Sequence, residues 1–179
     1  MSPSSPDSSV SGPHLLVILR HGKAEAFAAE DHLRKLTDRG RRSAVAAGEW
    51  LAVRGMVPTH AFVSSAVRAR DTWEAAAEGS GSVAEARIED AVYTADADTA
   101  LDLLRTAAPD AQVVIFVGHN PTAASMTHVL DDGDPEPQAF RTLARGFPPG
   151  ALAVLEVTVP WSELGPATGH LVAFHVGKG

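Results

Sequence analysis

A run of five aliphatic residues at positions 15–19, LLVIL, leads directly into the triplet Arg20-His21-Gly22. An uninterrupted aliphatic run indicates a strand that is buried on both faces, as in the middle of a parallel sheet. A turn on glycine at its end places the neighbouring side chains at the carboxyl edge of the sheet, where open α/β sheets bind their ligands. A cation beside an imidazole does not suit a core. This edge is therefore predicted to carry a site that handles phosphate.

The composition limits the class of protein. With 179 residues, 45% of them hydrophobic, the chain is long enough for one substantial core. The absence of cysteine excludes disulfides, thiolate catalysis and zinc sites with cysteine ligands. A net charge of −7 argues against nucleic acid and anionic membranes as partners. No stretch approaches the roughly 20 apolar residues of a membrane span.

The start of the chain differs in composition from the rest. Residues 1–13 are rich in serine and proline and lack the basic-then-apolar order of a secretory signal. They are predicted to form a disordered leader, with a single domain over residues 14–179. The protein is expected to be cytoplasmic.

Strand and helix patterns alternate through the predicted domain. Further strands are predicted at residues 61–63, 83–88, 113–117, 151–159 and 170–176. Helices are predicted from Thr37 as N-cap to Gly55, from Ala66 to about Glu78, and from about Asp98 to Ala107. This order predicts an α/β fold of three layers, α/β/α. The central sheet is mostly parallel with helices on both faces, and the late strands are antiparallel at an edge.

At two helix starts, the residue types predict side-chain caps. The hydroxyls of Ser64 and Ser65 are predicted to cap the helix after the second strand. Asn120 is predicted to be the N-cap of another helix, with Pro121 at its first position.

The ends of three strands determine where the candidate site residues meet. If the strands ending at Leu19, Val63 and Val117 are parallel, their carboxyl ends share one edge of the sheet. Arg20-His21, the start of the helix with Arg68, and His119 then all face the same crevice. Guanidinium groups match phosphate oxygens in geometry and charge, and a neutral imidazole is a competent nucleophile at neutral pH. This set of side chains is suited to phosphoryl transfer.

Three motifs in this order resemble those of the histidine phosphatase superfamily, which has the phosphoglycerate-mutase-like fold. They are Leu19-Arg20-His21-Gly22, the segment SSAVRARDT from Ser64 to Thr72, and Val117-Gly118-His119-Asn120-Pro121. The short chain and the segment RKLTDRGR at residues 34–41 resemble, more narrowly, the SixA-type phosphohistidine phosphatases. The resemblance covers roughly residues 15–157.

The resemblance implies a role for each matching residue. His21 would be the nucleophile, Arg20 and Arg68 phosphate ligands, and His119 a group that stabilises the transferring phosphoryl. It implies no metal and no other cofactor, because the arginines and histidines supply the positive charge. Asp90 stands where larger members carry a general acid, with Glu89 beside it; an ordinary surface carboxylate is an equal alternative for Asp90.

The sequence departs from the family pattern at three places. Ser65 replaces a proline of the second motif. The asparagine that phosphoglycerate mutases carry after the Arg-His-Gly loop is absent, and Lys23, Glu25 and Phe27 occupy this region. Residues 138–146 form a longer segment than the compact branch needs, which is compatible with a lid.

These residues predict a phosphatase that works through a phosphohistidine on His21. A SixA-type protein phosphohistidine phosphatase is the first choice, with a phosphorylated protein as partner and inorganic phosphate as product. The alternatives are a phosphatase of sugar phosphates, nucleotides or similar metabolites, a non-catalytic phosphate-binding module and, last, a mutase. Nucleic acid and membranes are not expected as partners.

Overall fold

The computed structural model describes residues 12–179. Residues 1–11 of the predicted leader lie outside the described residues. No helix within residues 12–179 is both long enough and apolar enough to cross a membrane.

A six-stranded sheet lies at the centre of the fold, in the order β3-β2-β4-β1-β5-β6. The strands are β1 His14–Arg20, β2 His60–Ser64, β3 Ala86–Glu89, β4 Val113–Gly118, β5 Ala151–Val157 and β6 Gly169–Val176. The first four strands are parallel to one another, whereas β5 runs antiparallel to β1 and β6 antiparallel to β5. The predicted mostly parallel sheet with late antiparallel edge strands is thus confirmed.

Helices cover both faces of this sheet. They are α1 Asp38–Val53, α2 Val67–Ser80, α3 Asp90–Thr94, α4 Ala97–Leu104, α5 Thr122–Leu130 and α6 Pro137–Leu143. Leu51 of α1 and Trp73 of α2 pack on one face, against side chains such as Ile115. Leu104 of α4 and Met126 of α5 pack on the other face. Two layers of apolar side chains therefore enclose the sheet and hold it in the middle of the molecule.

The helices differ from the predicted ones in three places. α3 and α6 were not predicted as helices, because both are short and little apolar periodicity accompanies them. Most of the segment considered as a lid is α6, which packs on β6 through buried residues including Leu143. The helix predicted from about Asp98 to Ala107 ends at Leu104, where Arg105 forms its C-cap.

The predicted capping at two helix starts is wrong. α2 has Ala66 as its N-cap, with no side-chain cap bond, although the Ser64 hydroxyl accepts a hydrogen bond from the Ala66 amide at 3.2 Å. α5 has Pro121 as its N-cap, after a cis Asn120–Pro121 peptide bond. Asn120 instead donates its side-chain amide to the Phe147 carbonyl at 3.1 Å. In both cases tertiary partners compete with the local capping role. The Ser64 and Ser65 hydroxyls bond the rings of His119 and His32, and Asn120 bonds Phe147.

Candidate active site

The Arg20-His21 pair lies at the carboxyl end of β1, between the two neighbouring strands of the sheet. The His21 amide donates to the Gly118 carbonyl at 2.9 Å and so extends the pairing of β1 with β4. On the other side, the Gly150 amide just before β5 donates to the Arg20 and His21 carbonyls at 3.2 and 3.0 Å. The backbone of the pair is therefore held on both sides before any substrate binds.

Gly22 allows the turn after β1 to pack directly on α1 and α2. A Cβ at this position would lie 2.7 Å from the Gly40 carbonyl oxygen of α1, which is too close for any side chain. The Gly22 amide donates to the Thr72 hydroxyl at 3.0 Å, and this hydroxyl donates to the Arg68 carbonyl at 2.6 Å. Thr72 thus joins the first motif to the second.

His21 is held in one tautomer. Its Nδ1 is 2.7 Å from the Gly22 carbonyl oxygen. Because a carbonyl only accepts, Nδ1 carries the proton, and the lone pair is on Nε2. Burial, with a smaller contribution from the positive charges of Arg68 and Arg20, lowers the pKa of His21 to about 4. The ring is therefore neutral at neutral pH, and its Nε2 is available as a nucleophile.

Arg20 is anchored by the segment that precedes β5. Its Nη1 donates to the Phe147 carbonyl oxygen at 2.7 Å, the oxygen that also accepts from Asn120. Its Nε is buried and has no hydrogen-bond partner among the described residues. Burial lowers the pKa of Arg20 from its usual value. An anion beside this guanidinium would supply the missing acceptor.

Arg68 reaches the same site from the first turn of α2. It is only 5% exposed, and its Nη1 and Nη2 donate to the Asp31 carbonyl oxygen at 2.9 Å and the Asp31 carboxylate at 3.1 Å. Like that of Arg20, its Nε is buried without a partner in residues 12–179. Two arginines with unsatisfied buried donors at one sheet edge indicate a site for an oxyanion.

His119 follows β4 and lies beside His21, with 5.2 Å between the ring centroids. Its Nδ1 is 3.5 Å from Arg68 Nη2, a group that can only donate, so the proton is on Nε2, which donates to the Ser64 hydroxyl at 2.7 Å. Burial, followed by the charges of His21 and Arg68, lowers the pKa of His119 to about 3. A phosphate dianion beside His119 would favour the protonated form of that ring, because an anion stabilises a nearby cation.

Asp31 and Tyr93 also belong to the site, although the sequence did not reveal them. The Tyr93 hydroxyl donates to Asp31 Oδ2 at 2.8 Å, and the Tyr93 ring contacts His119 edge-on at 5.6 Å between centroids. This hydrogen bond, together with Arg34 and Arg68, lowers the pKa of Asp31 to about 2, and the same bond raises the pKa of Tyr93. Asp31 begins a single 3₁₀ turn, Asp31–Leu33, in the segment before α1, and this turn is too short to show a periodicity that marks a functional residue.

Asp90 stays apart from this cluster. It is exposed at the start of α3, and its side chain has no hydrogen bond or ion pair within the described part of the chain. The neighbouring Glu89 pairs with Arg87 at 2.8 Å. Tyr93, three residues after Asp90, is the residue of this segment that reaches the site. The catalytic role of Asp90 stays a prediction that these contacts do not support.

The histidines and carboxylates of the site do not form a metal centre. Over residues 12–179, no three or more histidine or carboxylate side chains stand close enough to hold a metal ion. Of the residues predicted for the site, Arg20, His21, Arg68 and His119 are brought together at the carboxyl ends of β1, β2 and β4.

Comparison with known proteins gives the family. The pattern of the histidine phosphatase superfamily (branch 1) matches residues 16–93. An uncharacterised protein of Mycobacterium leprae is 32% identical over 148 residues, which is 83% of this chain and 89% of that protein.

Solved structures agree with this result. A structure named for the phosphohistidine phosphatase SixA of Nakamurella multipartitia has a TM-score of 0.80 and 35% identity, covering 93% of this chain and 98% of its own. A structure named for SixA of Agrobacterium tumefaciens has a TM-score of 0.75 and 29% identity, covering 92% and 99%. The chain therefore belongs to the histidine phosphatase superfamily, with its phosphoglycerate-mutase-like fold, and is a phosphatase.

Proposed function

We propose that this phosphatase hydrolyses phosphohistidine on proteins, through a phosphohistidine intermediate on its own His21. The observation that carries the proposal is the neutral, uniquely oriented imidazole of His21, placed beside the buried guanidinium of Arg68 and the ring of His119. A nucleophile with a free lone pair next to oxyanion ligands is the arrangement that phosphoryl transfer requires.

The reaction has two displacement steps. The Nε2 lone pair of His21 forms a P–N bond while the bond from phosphorus to the leaving group breaks, and the leaving group keeps that electron pair. Arg20 and Arg68 stabilise the charge on the equatorial oxygens of the phosphoryl group, and His119 supports them from the other side. Water then attacks phosphorus, the P–N bond to His21 breaks, and inorganic phosphate is released.

The choice of substrate follows from the acid–base groups around His21. Asp31 is the carboxyl group that contacts Arg68 and Tyr93. With a pKa of about 2, it is ionised at neutral pH. It cannot then donate a proton to an alkoxide leaving group. An imidazole leaving group needs less help, because the second ring nitrogen of a phosphohistidine can carry a proton before the P–N bond breaks, so that the ring leaves as neutral imidazole. The similarity to structures named for SixA phosphohistidine phosphatases supports the same choice.

The test compares substrates and traps the intermediate. We expect kcat/KM to be highest for phosphohistidine in a protein or peptide, when these are compared with nucleotides and sugar phosphates. Quenching a reaction with labelled substrate into base, in which phosphohistidine survives, should leave label on His21 of the wild type. No label should remain on His21→Ala, while His128→Ala on the exposed side of α5 should label normally.

Two results would contradict the proposal. Full turnover by His21→Ala would remove His21 as the nucleophile. A clear preference for a sugar phosphate or nucleotide would instead assign the enzyme to metabolite hydrolysis with the same catalytic residues.

A further inference from the structure

Asp31 occupies one of the two donor edges of the Arg68 guanidinium. Its carbonyl oxygen accepts from Nη1 at 2.9 Å, and its carboxylate Oδ2 accepts from Nη2 at 3.1 Å. A guanidinium is planar and has a second donor edge, which is formed by Nε and the other N–H of Nη2. Two bonds from one residue to the first edge therefore fix the plane of the guanidinium and the direction of its second edge.

The second edge of Arg68 faces the histidines of the site. Nη2 lies 3.5 Å from His119 Nδ1, and the His119 ring lies beside that of His21, with 5.2 Å between the centroids. Nε is buried and has no hydrogen-bond partner among residues 12–179. A phosphoryl group on its way to His21 would meet this edge, because its oxygens are the acceptors that Nε lacks.

Asp31 is itself held by side chains from other segments. The Tyr93 hydroxyl donates to Oδ2 at 2.8 Å, and Arg34 Nε donates to Oδ1 at 2.9 Å. A carboxylate accepts from several donors at once, so these bonds do not displace Arg68. Although the Asp31 side chain is 54% exposed, its bonds to three donor residues leave the carboxylate with one orientation.

The neighbouring His32 anchors the same turn of the backbone. Its Nε2 lies 2.9 Å from Ser65 Oγ, and its ring packs edge-on against Tyr93, with 4.9 Å between the centroids. Ser65 stands where the second motif of the family carries a proline, a residue without a hydroxyl. This chain thus has a bond between the turn Asp31–Leu33 and the segment before α2 that the family motif does not provide.

We infer that Asp31 is a positioning residue of this phosphatase. It holds the Arg68 guanidinium so that Nε and Nη2 meet the transferring phosphoryl group, and the bond between His32 and Ser65 keeps Asp31 in place. An arginine that is ordered before the substrate binds loses less conformational entropy in the complex. The inference rests on the role of Arg68 as phosphate ligand in the proposed function, and it does not depend on which phosphorylated compound is the substrate.

A double-mutant cycle tests whether Asp31 acts through Arg68. Asp31→Ala should lower kcat/KM for an aryl phosphate about tenfold, and by at most about 30-fold, which corresponds to the rotamer entropy of one arginine side chain. In the Arg68→Ala enzyme, which has no guanidinium to position, the same substitution should change kcat/KM by less than about twofold. Asp110→Ala is the matched control. It removes an exposed carboxylate before β4, at the opposite edge of the sheet, and should behave as wild type.

Two further variants test the contacts of Asp31. Asp31→Asn keeps the shape of the side chain and one acceptor oxygen, so it should retain more activity than Asp31→Ala. It also takes the place of Asp31→Ala in the cycle if urea unfolding shows that Asp31→Ala does not fold. Ser65→Ala removes the partner of His32 and should lower kcat/KM about two- to fivefold, the size of one hydrogen bond. No loss with Ser65→Ala would overturn the part of the inference that concerns His32.

Inhibition by inorganic phosphate separates positioning from competition. If Asp31 positions Arg68, phosphate should inhibit Asp31→Ala more weakly than wild type. Stronger inhibition together with an unchanged or higher kcat/KM would show that Asp31 competes with phosphate for Arg68, and would overturn the inference. A tenfold loss that persists in the Arg68→Ala enzyme would also overturn it, because Asp31 would then act on the reaction without Arg68.

The results distinguish this inference from the proposed function. A large loss with Arg68→Ala and none with Asp31→Ala would overturn only the positioning role. A loss below about threefold with Arg68→Ala would remove Arg68 from the proposed mechanism, and the positioning role with it. A clear preference for a sugar phosphate or nucleotide would overturn the proposed substrate and leave the positioning role intact.

Discussion

Acidification tests the electrostatics of the site through the free energy of unfolding. His21 and His119 have their pKa lowered to about 4 and about 3 in the folded protein, whereas an unfolded histidine binds its proton near pH 6.5. Between these values the unfolded chain binds more protons, so stability rises with pH. The contribution is complete above about pH 6.5 and is lost progressively as the pH falls toward the folded values.

The expected size follows from the shift at His21. Because folding lowers the pKa of His21 from 6.5 to about 4, this residue reduces the free energy of unfolding by about 1.8 kcal/mol when the pH falls from 7 to 5. His21→Gln cannot titrate, so over this range it should lose at least about 1.8 kcal/mol less stability than wild type. The difference is a lower bound because the charge of His21 also lowers the pKa of His119, and the variant relieves part of that shift.

Urea unfolding at several pH values from 7.5 to 4.5 measures this difference. The free energy of unfolding of wild type should fall more steeply than that of His21→Gln below pH 6.5. His128→Gln, on the exposed side of α5, is the control for loss of a histidine outside the site. Parallel curves for wild type and His21→Gln would show that the His21 imidazole titrates in the folded protein as it does in water, and would refute its assignment as a buried neutral nucleophile.

Three further predictions concern activity. Arg68→Ala should lower kcat/KM about 10²–10³-fold, since one preorganised donor to the transferring group is lost, and a change below about threefold would contradict its role as phosphate ligand. Asp90→Asn should change kcat/KM by less than about twofold, because its carboxyl lies outside the hydrogen-bond network; a loss of about 10²-fold or more would instead establish it as general acid. Activity should survive EDTA, and a loss that added divalent metal restores would exclude the metal-free mechanism.

The fold could be predicted from the sequence where patterns are strong and local. The aliphatic runs of β1 and β4 and the helix that begins after Thr37 were all predicted near their observed positions. Short elements such as α3 and α6 could not be predicted, because packing against neighbours stabilises them more than their own pattern does. The same reason explains Asn120, whose side chain bonds Phe147 instead of capping α5.

In the candidate site, too, some residues could be predicted from local sequence patterns and others depend on tertiary contacts. Arg20, His21, Arg68 and His119 were predicted together because each directly follows or begins an element whose end lies at one edge of a parallel sheet. Asp31 could not be predicted, because the loop before α1 has no periodicity and its carboxylate gains its partners only when Tyr93 and Arg68 arrive from distant segments.

The sequence by itself determined the main strands and helices, and it determined that Arg20, His21, Arg68 and His119 meet at one edge of the sheet, because hydrophobic periodicity and chain direction can be seen in short segments. Tertiary structure alone decided the chemical state of those residues. The Gly22 carbonyl selects the His21 tautomer, and burial keeps both imidazoles neutral. Only the folded arrangement shows that Asp31, rather than Asp90, is the carboxylate against Arg68. Desolvation and hydrogen bonding depend on what surrounds a group in space, and residues distant in sequence provide much of those surroundings.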